Sequence, residues 1–275
     1  MPGPLIDRYG SRGVTLLGDR SRPCGVTFAF TERTGGVSGG DFSSLNLGGA
    51  CGDDAALVAE NRRRALAALG AEGLLGRLVC PRQVHGDRVV VVDDAGEGAL
   101  ARARAEAAEG ADAVVCTAPG VPVLLCFADC APVVLVAPGG FAVAHSGWRG
   151  TIARISAKAV RVLCERTGAD AGDVWAYVGP HVGAGDYEVS EELIGRFRDE
   201  FGARIEPTRR HLDLGAAIGS ALAEAGVAPE RVAWVGGSTA SETGRFFSYR
   251  ASGGHCGRHG AIALMPLGET DGADH

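Results

Sequence analysis

Apolar positions along this chain fall into short runs separated by glycine, proline and charged residues, and few stretches carry helical spacing. Runs over residues 25–30, 78–80, 88–92, 113–116, 122–127 and 133–137 read as strands. Pro138-Gly139-Gly140 then turns the chain into a further strand over 141–145, and 174–178, 232–235, 246–249 and 261–265 continue the series. Helical spacing predicts helices over 55–69, capped by Asp53 and Asp54 and stopped at Gly70, and over 99–108. The stretch 150–167 reads as a single helix with Ile152, Ile155, Ala159, Val162 and Leu163 on one side, and two more helices are predicted over 190–201 and 213–225. Strands cluster mid-chain without strict strand–helix alternation, which favours an α+β fold of mixed sheets flanked by helices over a doubly wound sheet. No repeat and no Pro/Ser-rich linker divides residues 1–275, so the chain reads as one domain.

Composition narrows the class. Hydrophobic residues make up 46% and charged residues 22%, the balance of a folded globular chain. With 27 basic against 33 acidic residues the net charge is −6, and Lys158 is the only lysine, so neither nucleic acid nor an anionic membrane is an expected partner. The most apolar stretch, 114–135, is cut by Pro119, Gly120, Pro122, Asp129 and Pro132 and reads as buried strands, not a membrane span. The N-terminal residues lack the apolar core of a secretory signal, so the eight cysteines are expected as reduced thiols in the cytoplasm.

Three residues in short polar segments beside apolar strands carry the candidate chemistry: His85 in Gln83-Val84-His85-Gly86, Cys130 in Ala128-Asp129-Cys130-Ala131-Pro132, and His145 in His145-Ser146-Gly147-Trp148-Arg149-Gly150. If Pro138-Gly139-Gly140 closes a hairpin, Ala137 faces about Phe141 and His145 about Val133. Cys130 then lies about 10 Å further along the strand, with strict parity placing it on the opposite face. Two imidazoles and a thiolate match a catalytic zinc set with one open position. The same atoms match a cysteine hydrolase, with Cys130 as nucleophile, His145 as base and Asp129 nearby. The spacing leaves both open, although a second imidazole at the sulfur is needed only by the metal. For phosphate, the candidates are Arg149 and the backbone N–H groups of the loop 34–40. Asn46, polar between leucines, is suited either to satisfying buried backbone or to touching a ligand. His255-Cys256-Gly257-Arg258-His259 has a metal-like composition but reads as a solvated turn between strands.

Thr34-Gly35-Gly36-Val37-Ser38, Ser44-Leu45-Asn46-Leu47-Gly48, Gln83-Val84-His85-Gly86, Ala128-Asp129-Cys130-Ala131-Pro132, His145-Ser146-Gly147-Trp148-Arg149-Gly150, Gly179-Pro180 and Phe247-Ser248-Tyr249-Arg250 occur in this order. Together, over about residues 27–265, they resemble the laccase-domain purine nucleoside phosphorylase family, also called the polyphenol oxidase or peptidoglycan editing factor family. The resemblance implies a fold related to putative cysteine hydrolases and a Zn2+ site at His85, Cys130 and His145. It also implies phosphorolysis of adenosine, inosine, guanosine and methylthioadenosine, together with adenosine deamination. The partners are then a purine nucleoside and phosphate, with Arg149 and Asn46 as substrate or phosphate contacts and Asp129 as proton carrier. The family's second name adds an editing hydrolase of wrongly amidated peptidoglycan precursors as an alternative. One departure is Ala184-Gly185-Asp186, where relatives often carry Pro-Cys-Cys. Copper is disfavoured: the chain has seven histidines, no His-x-His, and only Met1 and Met265 as axial candidates.

Overall fold

A computed structural model describes residues 3–267. The strands are β1 (Asp7–Ser11), β2 (Val14–Gly18), β3 (Thr27–Thr31), β4 (Val89–Val92), β5 (Ala113–Cys116), β6 (Val123–Phe127), β7 (Ala131–Ala137), β8 (Gly140–Ser146), β9 (Trp175–Val178), β10 (Val232–Trp234) and β11 (His259–Leu264). The helices are α1 (Ala55–Ala68), α2 (Glu97–Glu109), α3 (Trp148–Ile152), α4 (Ile155–Thr167), α5 (Glu191–Phe201) and α6 (Leu214–Glu224). One sheet has the antiparallel order β1-β2-β3-β11-β6, and the other is mixed, in the order β10-β9-β7-β8-β5-β4. This is the expected α+β class. None of the helices described is long and apolar enough to cross a membrane.

Strand periodicity explains the layering. In β7, Val134 and Val136 point into a core shared with Phe28, Phe30 and Leu125 of the other sheet. Val133, Leu135 and Ala137 point the other way, onto Ile155, Val160 and Leu163 of α4 and Ile218 and Leu222 of α6. A strand covered on both faces needs apolar residues at every position, which is why β7 and β8 appear as unbroken runs. The outer face of the first sheet is covered by α1 through Ala65 and Leu66, against Leu16, Ala29 and Ile262. Asp54 caps α1 by accepting from the Ala56 N–H at 2.7 Å, as its position before the helix suggests.

Several expectations need correction. β1 and β2 precede the strand read as the first one; β1 alternates half-buried and exposed residues and carries Arg8 and Tyr9, so it shows no apolar run. The helix expected over 150–167 is two, because Arg154 adopts a left-handed φ of 60° between α3 and α4. Residues 246–249 form no strand; Phe246, Phe247 and Ser248 are buried in a looped segment. The segment expected as a solvated turn is mostly interior, since Cys256 is buried and His259 begins β11 opposite Phe127.

His259 is fully buried between the rings of Phe127 and Phe246, and neither ring nitrogen finds a hydrogen-bond partner among the described residues. Burial, opposed by the Pro180 backbone and helped by the charges of Arg258 and Arg33, pushes its pKa down to about 3. The unfolded chain takes up this proton near pH 6.5 while the folded chain stays neutral. Stability therefore falls with acidification through that window by about 1.4 kcal/mol per pH unit, and the contribution is absent above it. His259→Phe should raise stability at pH 7 by about 1 kcal/mol and flatten this acid slope; urea midpoints of both proteins at pH 5 and 7 check it.

Candidate metal centre

The β7–β8 hairpin decides where two of the three candidate ligands meet. Its turn is Pro138-Gly139, with Gly139 at a φ of +84°, so Ala137 pairs with Gly140 and Pro132 with His145. The expected register was one residue off, and a one-residue slip exchanges the faces of a strand. In the observed register Cys130, two residues before Pro132, shares the face of His145. Both side chains lie at the open end of the core between the sheets, where Cys130 packs against the shared cluster and His145 lies 5.5 Å from the Phe127 ring.

His85 arrives from the loop before β4, and its ring stands edge-on to His145 with centroids 4.8 Å apart. The ligand atoms of His85, Cys130 and His145 all lie within 4.8 Å of one another, the one such group among the described residues. Asp112, fully buried at the mouth of β5, organises the arrangement. Its Oδ1 lies 2.7 Å from His145 Nδ1 and accepts the His85 N–H at 3.0 Å. Its Oδ2 accepts the N–H groups of Gly86 at 2.7 Å and Val84 at 3.2 Å. One carboxylate thus orients an imidazole so that Nε2 is turned away from it, and folds the loop that delivers the second imidazole. Gln83 anchors the start of that loop by exchanging two hydrogen bonds with the backbone of Cys126.

Electrostatics match this geometry. Burial pushes the Cys130 thiol up, but the charge of His145 and hydrogen bonds from both imidazoles outweigh it and bring the thiol down to about 6. Burial lowers His145, and Cys130 and Asp112 overcome it, raising the ring to about 9. Burial likewise opposes ionisation of Asp112, yet its bonds to His145, Gly86 and Val84 hold it below the usual carboxylate range. Gly147 completes the fit: a Cβ there would lie 2.9 Å from Cys130 Sγ and 3.1 Å from the His85 ring. Two imidazoles and a low-pKa thiol on one side, with a cavity on the other, suit a borderline-soft dication held by three protein ligands.

The three residues line a cavity of about 940 Å³ together with Trp148, Tyr187, Tyr249, Arg250, Arg62 and Arg258. Asp129 also lines it, at a φ of 83°; its Oδ1 accepts from Thr239 Oγ1 at 2.7 Å and its Oδ2 from the Arg250 N–H at 2.6 Å. Its carboxylate therefore ties two loops to the turn carrying Cys130. Arg149 is not brought to the cavity wall; it is exposed, with its guanidinium 4.3 Å from the Trp148 ring centre. Asn46 is fully buried and faces backbone: its Oδ1 accepts the N–H groups of Gly48 and Arg258, and its Nδ2 donates to Asp53. Three N–H groups of the loop 34–40 are spent internally, Gly36 on Ser44 Oγ, Val37 on Asn61 and Ser38 on the Ser44 carbonyl, and the loop does not line the cavity. Sequence reasoning missed Asp112, Gln83 and the cavity arginines. A lone acidic residue beside the apolar run of β5 was the available signal for the first.

Fold and site together define an α+β protein with a candidate His–Cys–His metal centre at the mouth of a two-sheet core. The family profile described as multi-copper polyphenol oxidoreductase laccase matches residues 27–266. A purine nucleoside phosphorylase of Deinococcus radiodurans is 38% identical over 94% of this chain and 95% of its own length. Adenosine deaminase RL5, from an unknown prokaryotic organism, is 35% identical over 84% of this chain and 90% of its own. The crystal structure of YlmD from Geobacillus stearothermophilus superposes with a TM-score of 0.82 and 31% identity, covering 96% of this chain and all of that one. The chain belongs to the multi-copper polyphenol oxidoreductase laccase family.

Because Asp112 and Gly147 act only on the ligands' positions, they separate geometry from ligand identity. Asp112→Asn should weaken divalent-metal binding by about 10- to 100-fold, and Gly147→Ala should weaken it as well by displacing the Cys130 sulfur. Chelator competition measures both; unchanged affinity in the two variants would contradict the assignment of this cluster as a metal centre.

Proposed function

We propose that this enzyme binds Zn2+ at His85, Cys130 and His145 and cleaves purine nucleosides by phosphorolysis, with adenosine deamination as a second activity. The observation that carries the reading is the His85–Cys130–His145 group, backed by Asp112 and opening on the aromatic and cationic cavity. The names of the Deinococcus and RL5 proteins support the two activities in turn. Adenosine, inosine, guanosine and methylthioadenosine are the substrates this reading takes.

In phosphorolysis a phosphate oxygen bonds to C1′ as the bond from C1′ to the purine nitrogen breaks, and the ribosyl group gains positive character on the way. A zinc ion bound at the centre would supply Lewis-acid polarisation of a substrate oxygen. The protein does the rest. Trp148, Tyr187 and Tyr249 offer ring faces for the base. Arg250, on the Cys130 side, lies over Tyr187 and has its backbone held by Asp129. Asp129, with both oxygens already accepting, acts here by positioning Arg250 and Cys130; serving as the proton carrier would require it to release one of those bonds. Asp112 keeps the His145 ring oriented throughout.

A second reading has an observation of its own. The low-pKa Cys130 thiol, His145 and Asp112 form a continuous line, the arrangement of a cysteine hydrolase, which would include hydrolysis of wrongly amidated cell-wall precursors. His85 beside the sulfur favours the metal.

Product analysis with adenosine decides. Adenine and ribose 1-phosphate should form only when phosphate is present, and inosine should form without it. Both activities should fall by about two orders of magnitude or more in His85→Ala and Cys130→Ser and on chelation. A metal-free, active His85→Ala enzyme sinks the zinc reading. Resistance to chelator with loss on iodoacetamide treatment moves the hydrolase ahead.

A further inference from the structure

Four arginines line the cavity, Arg62, Arg82, Arg250 and Arg258, none with an acidic partner among the described residues, and two of them, Arg62 and Arg258, pack against one backbone segment. Arg62, on α1, donates through Nε to the Leu47 carbonyl at 3.0 Å, and the Cys126 thiol shares that acceptor at 3.4 Å. Arg258 donates through Nη1 to the carbonyls of Cys256 at 2.6 Å and Gly257 at 2.9 Å. These bonds fix each side chain and leave Nη1 and Nη2 of Arg62, and Nε and Nη2 of Arg258, without a protein acceptor among the described residues. Neither guanidinium forms an ion pair there, whereas half of the other arginines pair with Asp or Glu.

The two side chains flank one short backbone segment. A Cβ on Gly48 would lie 2.7 Å from Arg258 Cγ, and one on Gly49 would lie 3.4 Å from Arg62 Nη2. The Arg258 stem and the Arg62 guanidinium therefore pack against consecutive glycines, and at Gly48 only bare backbone leaves room. Asn46 holds this arrangement from behind by accepting the N–H groups of both Gly48 and Arg258 on one oxygen. Among the described residues the N–H groups of Gly49, Ala50 and Cys51 donate to no protein acceptor, and all three residues line the cavity. Asp53, the nearest carboxylate to this loop by bonding, is occupied by Asn46 and Ser38.

Two cations on one cavity wall, with no counter-ion among the described residues, favour the binding of an anion there. The forked donors of guanidinium, with free amides beside them, present more hydrogen-bond donors than one planar carboxylate can use; they match a tetrahedral, doubly charged oxyanion. We propose that Arg62 and Arg258, with the 48–51 backbone, form a phosphoryl-binding subsite of the cavity. This rests on the phosphorylase reading for its source in the reaction, where the phosphoryl group is free phosphate; the phosphate ester of a nucleotide carries the same chemistry.

Calorimetric titration of the metal-loaded protein with inorganic phosphate alone and with AMP alone tests the subsite without turnover, so it stands or falls separately from the phosphorolysis assay. Arg62→Gln and Arg258→Gln should each weaken phosphate binding about tenfold or more, with metal content and melting temperature retained. Arg62→Lys and Arg258→Lys, which keep charge and bulk but lose the fork, should weaken it less and guard against a folding artefact. Loss confined to AMP assigns the subsite to the ester, and loss of both assigns it to free phosphate. A parent protein that binds neither probe, or a double Gln variant that binds both as the parent does, overturns the proposal.

Discussion

The short hydrogen bond between Asp112 and His145 is the constraint on which the centre depends. A carboxylate with no exposure to water is costly unless every lone pair is answered, and here the answers come from two separate parts of the chain. The His145 ring supplies one and the N–H groups of Val84, His85 and Gly86 supply the others. Satisfying Asp112 therefore forces the loop before β4 against the end of β8. The candidate metal ligands meet because a buried charge needs partners.

The layered fold explains why this happens at one end of the molecule. Between the two sheets the core is mainly aliphatic and aromatic. At its edge β7 and β8 present Cys130 and His145 on the face they share with the core. Phe127 then separates the ring of His145 from the unpartnered imidazole of His259. Two buried histidines thus sit either side of one phenyl ring with opposite fates. One is raised to about 9 by a thiol and a carboxylate, and the other is lowered to about 3 by burial. Environment, not residue type, decides which of them carries chemistry.

Much of this was legible in the residues. The helix cap at Asp54, the strands β5 to β8, and the three ligand candidates all follow from periodicity and from polar residues placed in apolar surroundings. What escaped did so for identifiable reasons. β1 hides because an edge strand alternates with solvent. The break at Arg154 hides because a left-handed residue leaves no mark in an apolar spacing that continues across it. The role of Asp112 hides because its partners lie 26 to 33 residues away in the chain.

The sequence by itself determined the class of fold and the identities of a thiol and two imidazoles suited to one metal, because local pattern and side-chain chemistry are properties of single residues and near neighbours. It also determined the arginine-rich cationic set, but not which arginines matter. Arg149, beside a ligand in the chain, ends outside the cavity. Arg62 and Arg258, 196 residues apart, end on either side of the same two glycines. The hairpin register, the face shared by Cys130 and His145, and the choice among arginines were decided only in the tertiary structure. Each depends on a turn length, a backbone approach or a buried charge whose energy exists only once distant segments pack together.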